Sequence, residues 1–176
     1  MKKLGDVLKS VTGLLLLAGL AVTLAGCSSP PKQIPFETIS KHSYSGYKQR
    51  EAKLVIVSEQ KEMDSLSGLR PPYGLDLDQA LSEIDFSVHF LLTAFQGYQA
   101  SGGYEIDIVE IQQLGKKIKI SAEFISPDSG ATLGTTSPYH LVRVRKADLA
   151  ETGKFAFILV DVSSGKEVAR EEHTLQ

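Results

Sequence analysis

Three successive segments of this chain alternate apolar and polar residues with a period of two. Phe86, Val88, Phe90, Leu92 and Ala94 alternate with Ser87, His89, Leu91 and Thr93. Tyr104, Ile106 and Ile108 alternate with Glu105 and Asp107. Ile118, Ile120, Ala122 and Phe124 alternate with Lys117, Lys119, Ser121 and Glu123. A strand puts successive side chains on opposite faces, so this pattern predicts an antiparallel meander with one buried face. A turn over Gln113-Leu114-Gly115-Lys116 closes a hairpin. A register with Ile108 opposite Ile118 sets Asp107 opposite Lys119, a cross-strand charge pair.

Further strands are expected at Leu54-Val55-Ile56-Val57, at Tyr139 to Arg145, at Phe155 to Val162 and at Glu167 to Thr174. Phe155 to Val162 is nearly continuous in apolar residues and reads as a central strand covered on both sides; Glu167 to Thr174 reads as a polar edge. Ser163-Ser164-Gly165-Lys166 joins these two. Ser58 to Leu69 reads as a helix capped by Ser58, and Asp76 to Ile84 as a second short helix. Pro71, Pro72 and Gly74 make a loop between them, and two more loops carry Pro127 and Pro138. The expected fold is mainly β (α+β), an antiparallel, sandwich-like sheet domain of about seven strands with one or two short helices.

The first residues read as an export signal. Lys2, Lys3 and Lys9 precede an apolar run from Val11 to Ala25, which at 15 residues falls short of the ~20 needed to span a bilayer. The run ends in Leu24-Ala25-Gly26-Cys27, which resembles the lipobox of bacterial lipoproteins. That resemblance implies cleavage before Cys27, lipidation of its thiol and a mature chain of 150 of the 176 residues. Losing Lys2, Lys3, Lys9 and Asp6 moves the formal net charge from −2 to −4. Two acyl chains on one cysteine give stable attachment. The expected location is outside the cell, anchored in the bacterial cell membrane or the outer membrane.

The domain plan is therefore a signal peptide over 1–26, a lipidated cysteine and tether over 27–50, and a single β-rich domain over 51–176. Pro30, Pro31 and Pro35 favour an extended tether. The other reading folds Phe36, Ile39, Tyr44 and Tyr47 back onto the domain as an edge segment.

Composition removes whole classes of chemistry. One cysteine excludes an internal disulfide framework and zinc sites built on paired thiols. The absence of asparagine excludes a Cys-His-Asn triad. An acidic net charge argues against nucleic acid as a partner. His42, His89, His140 and His173 fall in no ligand-spaced motif. Ser58-Glu59-Gln60-Lys61 matches Ser-x-x-Lys without its companion elements and reads as a helix cap. No catalytic residue, metal site, cofactor or small-molecule substrate is expected.

What remains is the stretch Phe95 to Tyr104 between two strands. It reads either as a hairpin loop whose glycines supply positive φ, or as a recognition loop presenting Tyr98 and Gln99. Ser137-Pro138-Tyr139-His140 is a companion segment.

The order of these features resembles the C-terminal domain of the PrcB family of protease stability or protease complex subunits. An apolar strand (Phe86 to Phe95) leads to Gly97-x-x-x-Ser101-Gly102-Gly103-Tyr104. A strand, a turn at Gly115 and a strand ending in Pro127 follow, then Thr136-x-Pro138-Tyr139-His140-Leu141-Val142. Ala100-Ser101 replaces the family's Pro-Thr. The resemblance spans residues 85–146. It implies a non-catalytic, protein-binding accessory subunit that stabilises a secreted, subtilisin-like protease. The partner-contact positions it implies, with the loop residues, are Tyr98, Gln99, Ser101, Gly102, Gly103, Tyr104, Pro138 and Tyr139. The two loops also resemble those of chagasin-type protease inhibitors, without the Asn-Pro and Arg-Pro-Trp elements. A structural envelope lipoprotein with no protease partner is the third reading.

Overall fold

The computed structural model describes residues 30–69, 75–127 and 134–176. Among these, nine strands form two sheets. In chain order they are β1 (Lys32–Gln33), β2 (Glu37–His42), β3 (Lys53–Val57), β4 (His89–Phe95), β5 (Glu105–Leu114), β6 (Lys117–Ile125), β7 (Tyr139–Arg145), β8 (Gly153–Asp161) and β9 (Glu167–Leu175). One sheet has the order β1-β5-β6-β8-β9, and the other β2-β7-β4-β3. A 3-10 helical segment Gln60–Leu69 and helix α1 (Leu75–Ser82) follow β3.

The mainly β expectation is met, with nine strands rather than seven. The two additional strands lie in the segment read as a tether. β1 pairs with β5 and β2 with β7, so the chain folds back from Lys32 onward. Ile34 shows why: it is 1% exposed and sits in the main core, while Pro35 redirects the chain from one sheet to the other. Burying one isoleucine stabilises by roughly 1.5–3 kcal/mol, and the pairings with β5 and β7 add to it.

The alternating segments do not form one meander. β4 belongs to the four-stranded sheet, and the β5–β6 hairpin to the other. Phe90, Leu92, Ile106, Ile108, Ile118 and Ile120 all face the core between the sheets. The Phe90 and Phe157 rings meet edge-on there at 6.0 Å. Alternation reports a buried face, and it is satisfied equally by two sheets sharing one core.

The strands covered on both sides are β3, β4 and β7 rather than β8. Leu91 and Phe95 point away from the main core into a second cluster with Leu66, Leu69, Leu77 and Leu81 from the helical segments and Ile84 just after them. In β8, Phe155, Phe157 and Leu159 are buried and the alternate residues only half-buried. The sandwich is thus asymmetric: helices cover the outer face of the four-stranded sheet.

The sheets are not wholly antiparallel either. β6 and β8 run parallel, with Lys117 opposite Ala156 and Ile120 opposite Leu159. β7 intervenes in the other sheet, so the chain returns to β8 in the original direction. β9 is an edge strand, as expected, and Asp161 organises the turn before it by accepting Ser163 N–H and both serine hydroxyls.

The β5–β6 register differs from the expected one. Leu114 faces Lys117 across a two-residue turn at Gly115-Lys116, with Gly115 at φ +57°. A two-residue turn fixes the pairing from the tip inward. Ile118 therefore faces Gln113, Lys119 faces Gln112, and Asp107 faces Glu123. The pairing steps by one residue between Ile108 and Glu110, where Val109 forms a β-bulge. Asp107 finds its cation elsewhere, at Lys41 Nζ of β2, 3.0 Å away.

Candidate functional site

The topology from β4 to β7 brings two chain crossings to one end of the sandwich. β4 and β7 are antiparallel neighbours with Phe95 opposite Tyr139, and Glu105 lies opposite Ile125 in the other sheet. The crossing after β4 and the crossing before β7 must therefore leave and arrive side by side.

Backbone bonds weld the two together. Gln99 N–H donates to Thr136 O at 2.8 Å, and Thr136 N–H donates back to Gln99 O at 3.1 Å. Gln96 N–H donates to Pro138 O at 3.0 Å, and the Thr136 hydroxyl to Ser101 O at 2.9 Å. The segment after β2 forms a third wall. Tyr98 N–H donates to Gln49 O at 2.7 Å, Ser137 N–H to Ser43 O at 3.0 Å, and the Ser137 hydroxyl to Tyr47 O at 2.6 Å.

Two glycines make this close approach possible. Gly97 has φ +98°, and a Cβ there would stand 2.2 Å from Arg50 O. Gly103 has φ +88°, and a Cβ would stand 2.9 Å from Pro127 Cβ. Only glycine accepts both the dihedral and the contact.

The result is a groove of about 350 Å³ lined by residues 44–48, Tyr98 and residues 135–137. Tyr44 is 42% exposed, while Tyr47 rests on Phe95 with ring centroids 5.1 Å apart. Lys53 Nζ lies 5.7 Å from the Tyr47 ring centre. Burial, with a contribution from Glu51, pushes the Tyr47 phenol up, so it stays a neutral donor, bonded to Glu51 O at 3.2 Å. Aromatic bodies with polar tips on a braced loop suit contact with another polypeptide.

The expected contact residues divide into two groups. Tyr98 lines the groove; Gln99 is half-buried and held by the bridge to Thr136. Ser101 and Tyr104 are half-buried, and Gly103 is exposed. Gly102 and Pro138 are buried. Tyr139 has 0% exposure; its hydroxyl meets Ser40 Oγ at 2.7 Å and its ring packs near Phe95 at 6.3 Å. Tyr139 therefore braces the site from below. Cys27 lies outside the described residues. Tyr44, Tyr47, Lys48 and Thr135 were not anticipated as part of the site; the one available signal was the pair of tyrosines in a segment that otherwise reads as tether.

Two clusters of ionisable groups lie elsewhere. Buried His140 accepts Ile108 N–H at Nδ1 (2.8 Å) and has Thr38 Oγ1 at 2.8 Å from Nε2. Burial holds its pKa below the ordinary 6.5, against the attraction of Asp107 and with help from Lys41. At the other cluster, Glu62 accepts Ser58 N–H at 2.8 Å and Glu59 N–H at 3.2 Å, a helix-capping arrangement. Ser58 Oγ also meets His173 Nε2 at 2.8 Å, but Ser58 is 2% exposed, out of reach of any substrate. Among the described residues, no three His, Cys, Asp or Glu side chains converge to hold a metal.

No curated protein and no solved structure matches this chain. One family does: residues 91–145, which run from β4 through the hairpin to the end of β7 and build both crossings, match the family described as PrcB C-terminal. That four-strand unit is a PrcB-like C-terminal domain.

Proposed function

We propose that this chain is a non-catalytic accessory subunit that binds and stabilises a secreted protease, held outside a bacterial cell by a lipid on Cys27. The observation that carries this reading is the family match over 91–145, because the matched segment contains both crossings that form the groove. The mechanism is mass action. A subunit that binds only the folded protease lowers the population of unfolded, self-digestible enzyme. A hundredfold excess over the dissociation constant adds about 2.7 kcal/mol to the protease. The finer assignment is to a subtilisin-like enzyme, and it comes from the resemblance alone.

Pull-down of the chain from solubilised membranes tests the reading, followed by measuring the half-life of any captured protease with and without the chain. Co-recovery with a lengthened half-life and undiminished proteolysis supports the accessory role. Co-recovery with blocked proteolysis supports the inhibitor reading instead. Recovery of no protease overturns both.

A further inference from the structure

The position of β1 shortens the tether and restricts which end of the domain can meet a bilayer. Four residues, Ser28 to Pro31, separate Cys27 from Lys32, where pairing with β5 begins. The five steps from Cys27 to Lys32 reach at most about 18 Å when fully extended. With acyl chains in the hydrocarbon, Cys27 starts that path at the base of the headgroup layer, which takes up about 5–8 Å. Lys32 is therefore held within roughly 13 Å of the bilayer surface.

The groove lies at the opposite end of the sandwich. β5 runs from Glu105, beside the crossings, to Gln113, the partner of Lys32, and those eight residues span about 27 Å. A domain standing on its groove end would lift Lys32 about 27 Å from the surface, twice what the tether allows.

The tethered end also suits a phospholipid surface. Lys32, Lys117 and Lys119 are exposed, and among the described residues none has an ion-pair partner. Lys32 is two strands, about 10 Å, from β6, and Lys119 follows Lys117 by about 7 Å along that strand. The carboxylates nearby are engaged: Glu151 by Lys116, Glu172 by Lys154, Glu37 by Arg143 and Asp148 by Arg145. Asp85, just before β4, has His89 and Lys146 as neighbouring cations. Leu114 stands 46% exposed beside the hairpin turn. Lysines around an apolar tip match phosphate groups above hydrocarbon. The groove end has cations of its own in Lys48, Arg50 and Lys53, so the tether, not charge, chooses the end. Charge opposes lying flat. The outer face of the five-stranded sheet would press exposed Glu105 and Glu123 onto the phosphates, and the helical side exposed Asp64, Asp78 and Glu83.

We infer that the end of the sandwich at the β5–β6 turn rests on the bilayer that holds Cys27, with Lys32, Lys117 and Lys119 against phospholipid phosphates and the groove turned outward. This orientation requires the lipid on Cys27 proposed above and is independent of what the groove binds. It leaves the groove about 30 Å above the surface, open to a partner arriving from outside.

The lipidated chain in phosphatidylcholine vesicles with about one-third phosphatidylglycerol and spin-labelled headgroups tests this. Lipidation consumes the only native thiol, so a bimane dye reacts at one introduced cysteine, Leu114→Cys by the turn or Thr135→Cys by the groove, both exposed positions. Quenching should be several times stronger at 114 than at 135. Lys117→Glu with Lys119→Glu should lower the quenching at 114 by about half or more. Labelling of the wild-type chain, or its loss from the vesicles, overturns the anchor and the orientation together. A chain that stays on the vesicles but is quenched equally at both positions, or more at 135, overturns the orientation alone. Quenching at 114 that the charge reversal leaves unchanged overturns the lysine contact.

Discussion

The backbone N–H of Ile108 donates to Nδ1 of His140 at 2.8 Å, joining the two sheets across their shared edge. Ile108 adjoins the bulge in β5, where the pairing with β6 steps by one residue. A donor in such a place needs a partner, and the imidazole supplies it. Because an N–H cannot accept, Nδ1 carries the lone pair and Nε2 the proton, which Thr38 Oγ1 accepts. Asp107 Oδ1 stands 3.1 Å from the same Nδ1; Lys41 offsets that carboxylate by bonding its other oxygen.

Replacing His140 by alanine leaves the Ile108 donor buried without a partner and opens a void. A loss of about 2–4 kcal/mol is expected, read by urea denaturation. Stability should also depend on pH. The folded pKa lies below 6.5, so on acidification the unfolded chain takes up its proton first. Stability from this group is complete above about 6.5 and declines as pH falls toward the folded pKa. His140→Gln should flatten the profile in that window. An equally steep profile in the variant would assign the effect to other groups.

Gly97→Ala should be far more damaging than Gly165→Ala. Both glycines have positive φ, but the new Cβ at 97 would collide with Arg50 O, whereas at 165 it meets nothing within 4 Å. About 1 kcal/mol is expected at 165 and about 3 kcal/mol or more at 97. Thermal melts of the two variants check the ordering.

Thr93→Val should be neutral or stabilising. Thr93 Oγ1 is fully buried on β4 without a hydrogen-bond partner among the described residues. Substituting a methyl removes a desolvation cost of about 1–3 kcal/mol and keeps the shape. A clear loss of stability would show that the hydroxyl has a partner.

Tyr98→Ala should weaken any captured complex about tenfold or more while leaving the melting temperature within a few degrees. Its backbone bond to Gln49 survives the substitution, and its side chain lines the groove. Tyr139→Phe, by contrast, should affect stability by about 1 kcal/mol, through the lost Ser40 contact, and binding little. Titration of the captured partner against each variant separates the two roles.

Cys27→Ser should release the chain from the membrane fraction, because the proposed anchor forms on this thiol and two acyl chains supply the attachment. Membrane fractionation reads the outcome, and persistence in the membrane would count against the anchor.

By itself the sequence determined seven of the nine strands, a buried face for each of the three alternating segments, and where the chain turns between those strands. These are local properties: side-chain alternation, β-branching, and glycine or proline at the breaks. Segment order also sufficed for the resemblance over β4 to β7, since it rests on short motifs at fixed spacing. Only the tertiary structure decided which sheet each strand joins. Alternation says that Phe90, Ile106 and Ile118 face a core, and not whether one sheet or two provide it. It likewise decided that residues 32–42 are strands. Their short, polar, proline-flanked stretch has little β character, and it pairs because Ile34 reaches the core. The groove followed from that decision. Its wall at residues 44–48 comes from the segment that looks like a tether, and its placement depends on pairings across about a hundred residues of chain, such as that of Lys41 with His140. Those pairings form only when both sheets close on one core, where the free energy of burial is shared by partners that no local pattern brings together.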